Sequence, residues 1–100
     1  MKKEQEITRS TILKRNPDQL FTMIDEEVVM LNIEHEEYLN LNSHASYIWN
    51  QLENSLAFGK LIEKLCDAFD VKENVCIEDS RGLIIELIEK DIIHVIDESA

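Results

Sequence analysis

LFTMIDEEVVMLNIEHEEYLNLN, residues 20–42, decides the fold. It holds three short runs of β-branched and large apolar residues, LFTMI (20–24), VVMLNI (28–33) and EYLNL (37–41). They are separated by Asp25-Glu26-Glu27 and Glu34-His35-Glu36. Runs of this length and composition read as strands, and the acidic triplets between them as tight turns. Turns of about three residues force neighbours to pair, so the strands form an antiparallel meander in chain order with Glu37–Leu41 at an edge. An edge strand carries unpaired backbone donors and acceptors.

Downstream the period changes from two to 3.6. Asn42 and Ser43 offer side-chain oxygens to a first helical turn, and Ala45, Ile48, Trp49 and Leu52 follow at i, i+3, i+4, i+7 spacing, which predicts a helix over 43–53. Trp49 shares that stripe and is expected in the core. Phe58, Leu61, Ile62, Leu65 and Phe69 predict a second helix over 57–69. Cys76, Leu83, Ile84 and Leu87 predict a third over 74–90. IIHVI (92–96) reads as a short extended segment packed under the sheet or the helices.

Upstream, MKKEQEITRS is polar, mixed in charge and without period, so residues 1–15 read as a flexible tail and 16–97 as the folded domain. The expected class is α+β and winged-helix-like: a three-stranded antiparallel sheet followed by three helices, with a helix-turn-helix unit in the last two. At 100 residues and 44% hydrophobic content the chain supports one modest core.

Net charge is −11, and it is unevenly placed. Residues 1–15 hold five bases against two acids, so the folded part is far more acidic than the whole. Nucleic acid and anionic membranes are therefore poor partners, because affinity for either rests on Lys and Arg meeting phosphates. A DNA-reading third helix is opposed by Glu73, Glu78, Asp79, Glu86 and Glu89 against Arg81 and Lys90. Cys66 and Cys76 form no CxxC, and His35, His44 and His94 form no HxxxH or HExxH, so no metal, cofactor or catalytic residue is assigned and no enzyme is expected. Both thiols read as buried small hydrophobes. With no apolar run long enough for export or a membrane span, a reducing cytoplasm is the expected setting.

The third helix has more apolar surface than one small core covers. On a wheel at about 100° per residue from Leu83, the residues Cys76, Leu83, Leu87 and Ile84 occupy about 0–100°, and Ile77, Ile88 and Ile85 extend the arc to about 200° with Arg81 near 160°. Two readings are open. IIHVI covers Ile85 and Ile88, or this half of the helix walls a groove beside Glu37–Leu41. A strand edge facing an isoleucine-lined helix suits an extended peptide, with backbone pairing on one wall and apolar slots on the other. Arg81 then fixes an acidic peptide residue; its alternative is a solvated pair with Glu78 or Glu86.

Tyr38-Leu39-Asn40-Leu41-Asn42, then Ala45, Ile48-Trp49, Leu61, Leu65, Phe69-Asp70-Val71, Asp79, Leu83-Ile84, Glu86-Leu87 and Ile92-Ile93 together resemble the PqqD family over about residues 18–96. The resemblance implies a three-stranded antiparallel sheet with three helices. It implies recognition of the leader segment of a ribosomally made precursor peptide, added as a fourth strand. Free-standing members act beside separate maturation enzymes, such as the leader protease of lasso-peptide pathways or the radical enzyme of quinone-cofactor synthesis. The sequence departs from the pattern at Asp25-Glu26, Ala45 and Asp91, where Gly is common.

The resulting expectation is a peptide-binding adaptor. Its peptide site comprises Glu37, Tyr38, Leu39, Asn40 and Leu41 on the strand and Ile77, Arg81, Ile84, Ile85 and Ile88 on the helix. Its partners are a leader peptide and a separate maturation enzyme. The rival is a structural subunit of a biosynthetic complex, docking through Tyr47 or Trp49.

Overall fold

A computed structural model of the chain describes residues 7–32 and 36–96. The expectations for residues 1–6, for Ile33 and the turn residues Glu34 and His35, and for residue 97 lie outside the described residues. Nine elements follow in order: β1 (Ile12–Arg15), β2 (Leu20–Ile24), β3 (Glu27–Asn32), β4 (Glu37–Asn40), α1 (Ser43–Gln51), β5 (Leu56–Ala57), α2 (Phe58–Phe69), α3 (Glu73–Glu89) and β6 (Ile93–Ile96).

The expected meander is present: β2, β3 and β4 form one antiparallel sheet in chain order, with Ile24 opposite Glu27 and Leu31 opposite Tyr38. Asp25 and Glu26 turn the first hairpin at positive φ, 51° and 70°. That is the backbone a two-residue primed turn needs, and it explains why glycine is common at this point. Asn42 caps α1, its side-chain oxygen accepting from the Ala45 N–H at 2.9 Å.

A second sheet accompanies the first. β1 lies at its centre, pairing antiparallel with β5 on one side and β6 on the other. Residues 12–15 are thus a central strand rather than the end of a tail, and Leu13 is fully buried. The integration reaches further back. Ile7 is buried, and the backbone carbonyls of Arg9 and Thr11 accept from the N–H groups of Gly59 and Phe58 at 2.9 and 2.8 Å. Those are free donors of the first turn of α2, which has no side-chain cap. The close approach favours a glycine: a Cβ at residue 59 would stand 3.2 Å from the Arg9 carbonyl oxygen, so the neighbouring segment would have to give by a few tenths of an ångström. The segment 7–11 therefore caps a helix, and the folded unit begins before residue 16. Segment 92–96 supplies β6 and packs against α3.

One core joins these parts, with Leu13, Trp49, Phe58, Leu61, Ile62, Ile84 and Ile93 all fully buried. Trp49 is central to it, as its stripe predicted. Its ring is met edge-on by Phe21 and covered by the Arg15 guanidinium at 4.7 Å, an arrangement that shields the indole face with a cation.

Candidate peptide-binding edge

β4 is the edge strand of its sheet, as the turn lengths required. The Leu41 N–H donates to the Val28 carbonyl at 2.8 Å. In an antiparallel ladder the bonded residues alternate, so Leu39 and Glu37 also turn their N–H and C=O groups toward β3. Tyr38 and Asn40 turn theirs outward, and these two residues present the strand's unpaired main chain. Side chains alternate as well. Leu39 lies on the inner face with its partner Met30, whereas Tyr38 stands on the outer face at 76% exposure.

A serine holds the inner end of this edge. Val28 N–H donates to Ser46 Oγ at 2.9 Å, and Ser46 Oγ donates to the Leu41 carbonyl at 3.0 Å. The hydroxyl stands where a direct Val28–Leu41 bond would close the pair. It ties β3 and β4 to α1 in a buried position, where leaving either group unsatisfied is costly.

A cavity of about 490 Å³ opens beside the edge, lined by Gln19, Met30, Asn32, Glu37, Tyr38 and Leu39 from the sheet and by Glu89, Lys90, Asp91 and Ile92 from the end of α3 and the residues after it. The helix also meets the start of α1. His44 Nε2 and Ser80 Oγ are 3.0 Å apart, linking the residue two beyond Asn42 to the middle of α3.

The helical residues predicted for the groove are divided by the fold. Ile84 is fully buried in the core. Ile77, Ile85 and Ile88 are partly buried and packed against the same core. Arg81 donates from Nε to the Ile7 carbonyl at 3.2 Å and lies 5.8 Å from the centre of the Phe58 ring. It is engaged by the N-terminal segment. Ser80 marks the direction from α3 toward α1, and on the wheel Leu83 lies about 60° to one side of it while Arg81 and Ile85 lie about 100° and 140° to the other. Lys90, which shares the cavity with Tyr38, falls on the Leu83 side. The structure therefore brings Glu37, Tyr38 and Leu39 together with Glu89 and Lys90 at the end of α3, and it places Arg81 on the flank that meets residue 7.

A match to the family described as coenzyme PQQ synthesis protein D, PqqD, spans residues 27–93. The chain belongs to the PqqD family. No curated protein matches the chain. Among solved structures, TbiB1 in complex with the TbiA(beta) leader peptide is similar in fold. Its TM-score is 0.71 at 24% identity over 87% of this chain and 98% of that one. The matched family region contains β3, β4 and all three helices, so it includes both walls of the cavity.

Two features of this PqqD-family chain escaped the sequence reading. The Ser46 bridge looks like an ordinary polar residue in a helix until β3 is placed beside it. The cavity at the end of α3 left no periodic signal in the sequence; the chain turns there at Asp91 with a positive φ of 64°. Elsewhere, burial pushes the Cys76 thiol above the ordinary thiol range against the lowering effect of its contact with Ser80, and the nearby Cys66 adds to the rise. Among the described residues no group of His, Cys, Asp and Glu is placed to hold a metal ion, and no helix is long and apolar enough to cross a membrane.

Proposed function

We propose that this chain binds the leader segment of a ribosomally made precursor peptide as an additional strand on β4 and presents it to a separate maturation enzyme. The observation that carries the reading is the outward main chain of Tyr38 and Asn40 beside the cavity at the end of α3. Membership of the PqqD family and the likeness to a leader-bound structure support it. An incoming strand pairs with Tyr38 and Asn40, and its inward side chains enter the cavity between Leu39 and the end of α3 at Glu89 and Lys90. Binding confines the attached core peptide near the enzyme and raises its effective concentration, so the chain contributes position rather than chemistry.

The test is a proline at the edge. Asn40→Pro removes an outward N–H while leaving the bonds to β3 in place, and proline is tolerated on edge strands where the N–H faces solvent. Titration of the parent with the synthetic leader of the precursor encoded beside it should perturb the amides of Tyr38 and Asn40. The variant should keep its circular dichroism and bind at least tenfold more weakly, a change of about 1.4 kcal/mol. Equal binding by both proteins refutes strand addition.

The structural-subunit reading keeps one observation in its favour. The outer face of the β2–β3–β4 sheet aligns Leu20, Leu31 and Tyr38 in a row across all three strands, with Ile24 exposed nearby. A subunit that docks by this face without binding any leader fails the titration while its partner binding is lost on Tyr38→Glu.

A further inference from the structure

Cys66 and Cys76 stand symmetrically about the link between α2 and α3. Asp70 ends α2 and Lys72 precedes α3, so Cys66 lies four residues before one cap and Cys76 four residues after the other. Four residues are about one helical turn, which sets each side chain on the same face as the residue at the link. The backbone shows both turns closed: the Asp70 N–H donates to the Cys66 carbonyl at 3.2 Å, and the Cys76 N–H donates to the Lys72 carbonyl at 2.9 Å. The two helices pack against each other, and Cys66 packs on the core cluster that contains Cys76. Across that packing the two thiols are neighbours, near enough for Cys66 to help hold the Cys76 proton in place.

Both thiols are free, and their surroundings differ. Cys76 is 1% exposed, whereas Cys66 is half-buried and lines an open hollow of about 620 Å³ with Glu63, Lys64, Asp67, Val71 and Glu73. That asymmetry suits a two-step exchange, in which an accessible sulfur meets an outside reagent and a covered one displaces it. Little holds the Cys76 sulfur where it is. Its contact with Ser80 Oγ is 3.8 Å long, and that hydroxyl is also engaged with His44 Nε2 at 3.0 Å. Turning the sulfur from Ser80 toward Cys66 gives up only a weak hydrogen bond.

We propose that Cys66 and Cys76 form a modification site, a dithiol that a small-molecule disulfide oxidises to an internal Cys66–Cys76 bond stapling the end of α2 to the start of α3. The Cys66 thiolate attacks one sulfur of the reagent and breaks its S–S bond. The released reagent thiolate takes up the proton that Cys66 lost. The Cys76 thiolate then attacks the Cys66 sulfur of the mixed disulfide, and the second reagent thiol leaves with the proton from Cys76. Two protein thiols are oxidised and one reagent disulfide is reduced to two thiols, with no net change in protons. The site is separate from β4 and does not depend on the leader-binding reading.

The test exposes the full folded chain to excess bis(2-hydroxyethyl) disulfide, an uncharged reagent, at about pH 8.5, near the ordinary thiol value, and follows intact mass and circular dichroism. The parent should lose two hydrogens, carry no adduct at the end point and keep its helical signal. Cys76→Ala should stop at one reagent adduct on Cys66, and Cys66→Ala should react at least tenfold more slowly than the parent, because the remaining thiol is covered. The oxidised parent should also unfold at higher urea than the reduced parent, as a bond made in native geometry does. A parent that halts at a stable adduct, or that is oxidised only into linked pairs of chains, overturns the internal bond. Oxidation that lowers the urea midpoint shows that the helices had to be pried apart, and overturns it as well. Reaction of Cys66→Ala at the parent's rate removes Cys66 as the entry point and with it the proposed site.

Discussion

The two sheets have the same number of strands and the same antiparallel sense, yet they are built for opposite purposes. In the β5–β1–β6 sheet the central strand carries a fully buried Leu13, one neighbour is two residues long, and the other packs on α3. In the β2–β3–β4 sheet both outer strands are open: every residue of β2 is exposed and β4 has only Leu39 partly covered. One sheet closes the core. The other offers a face and an edge, and an open edge is a liability unless it is blunted, covered or paired.

The contrast breaks most visibly by truncation. Leu13→Ala should cost about 2–5 kcal/mol by opening a cavity in the core, whereas Tyr38→Ala should stay within about 0.5 kcal/mol; urea melts of both variants measure the difference. Similar losses would mean the β2–β3–β4 sheet is not structurally dispensable at its edge. Next in size is Ser46→Ala, which strips the bridge between Val28 and Leu41 and should cost about 1–3 kcal/mol, with faster hydrogen exchange at Val28. A loss confined to the first sheet would show that the open edge depends on α1 for its register.

Smaller effects sharpen the comparison. Glu26→Gly relieves a non-glycine residue at φ 70° and should stabilise the chain by about 1 kcal/mol in the same melts. The smallest is alkaline. The Cys76 thiol is raised above its ordinary value mainly by burial, so the folded state holds its proton more tightly than the unfolded state does. Its contribution is complete below the unfolded thiol value and fades as pH rises through the folded one. Stability should therefore fall over that alkaline window in the parent and fall less in Cys76→Ala.

Much of this was legible from short-range pattern. The apolar runs at 20–24, 28–33 and 37–41 and the helical stripes around Trp49, Leu61 and Ile84 each bury a face within their own segment, so period and turn length were enough. β1 was not legible because ILKR is four residues long, half of them charged, and its partner β6 lies some eighty residues away. The cap on α2 left no trace either, since backbone carbonyls of residues 9 and 11 do the work of a side chain. For the site, the edge strand followed from connectivity, but the wheel of α3 showed only that its apolar arc was wide. It could not say which neighbour covers which flank, and that depends on where the segment around Ile7 runs.

The pairing of Ile12 with Ile96 has a mechanical consequence. These residues sit at one end of the β1–β6 ladder, the end from which both outer segments of the chain depart. A pull on the two segments loads the ladder's bonds one pair after another, like a zipper, instead of shearing them all together. On the N-terminal side the hold of Ile7, Arg9 and Thr11 on α2 and α3 takes the load first, and once it is released the β1–β6 ladder peels from this end at low force.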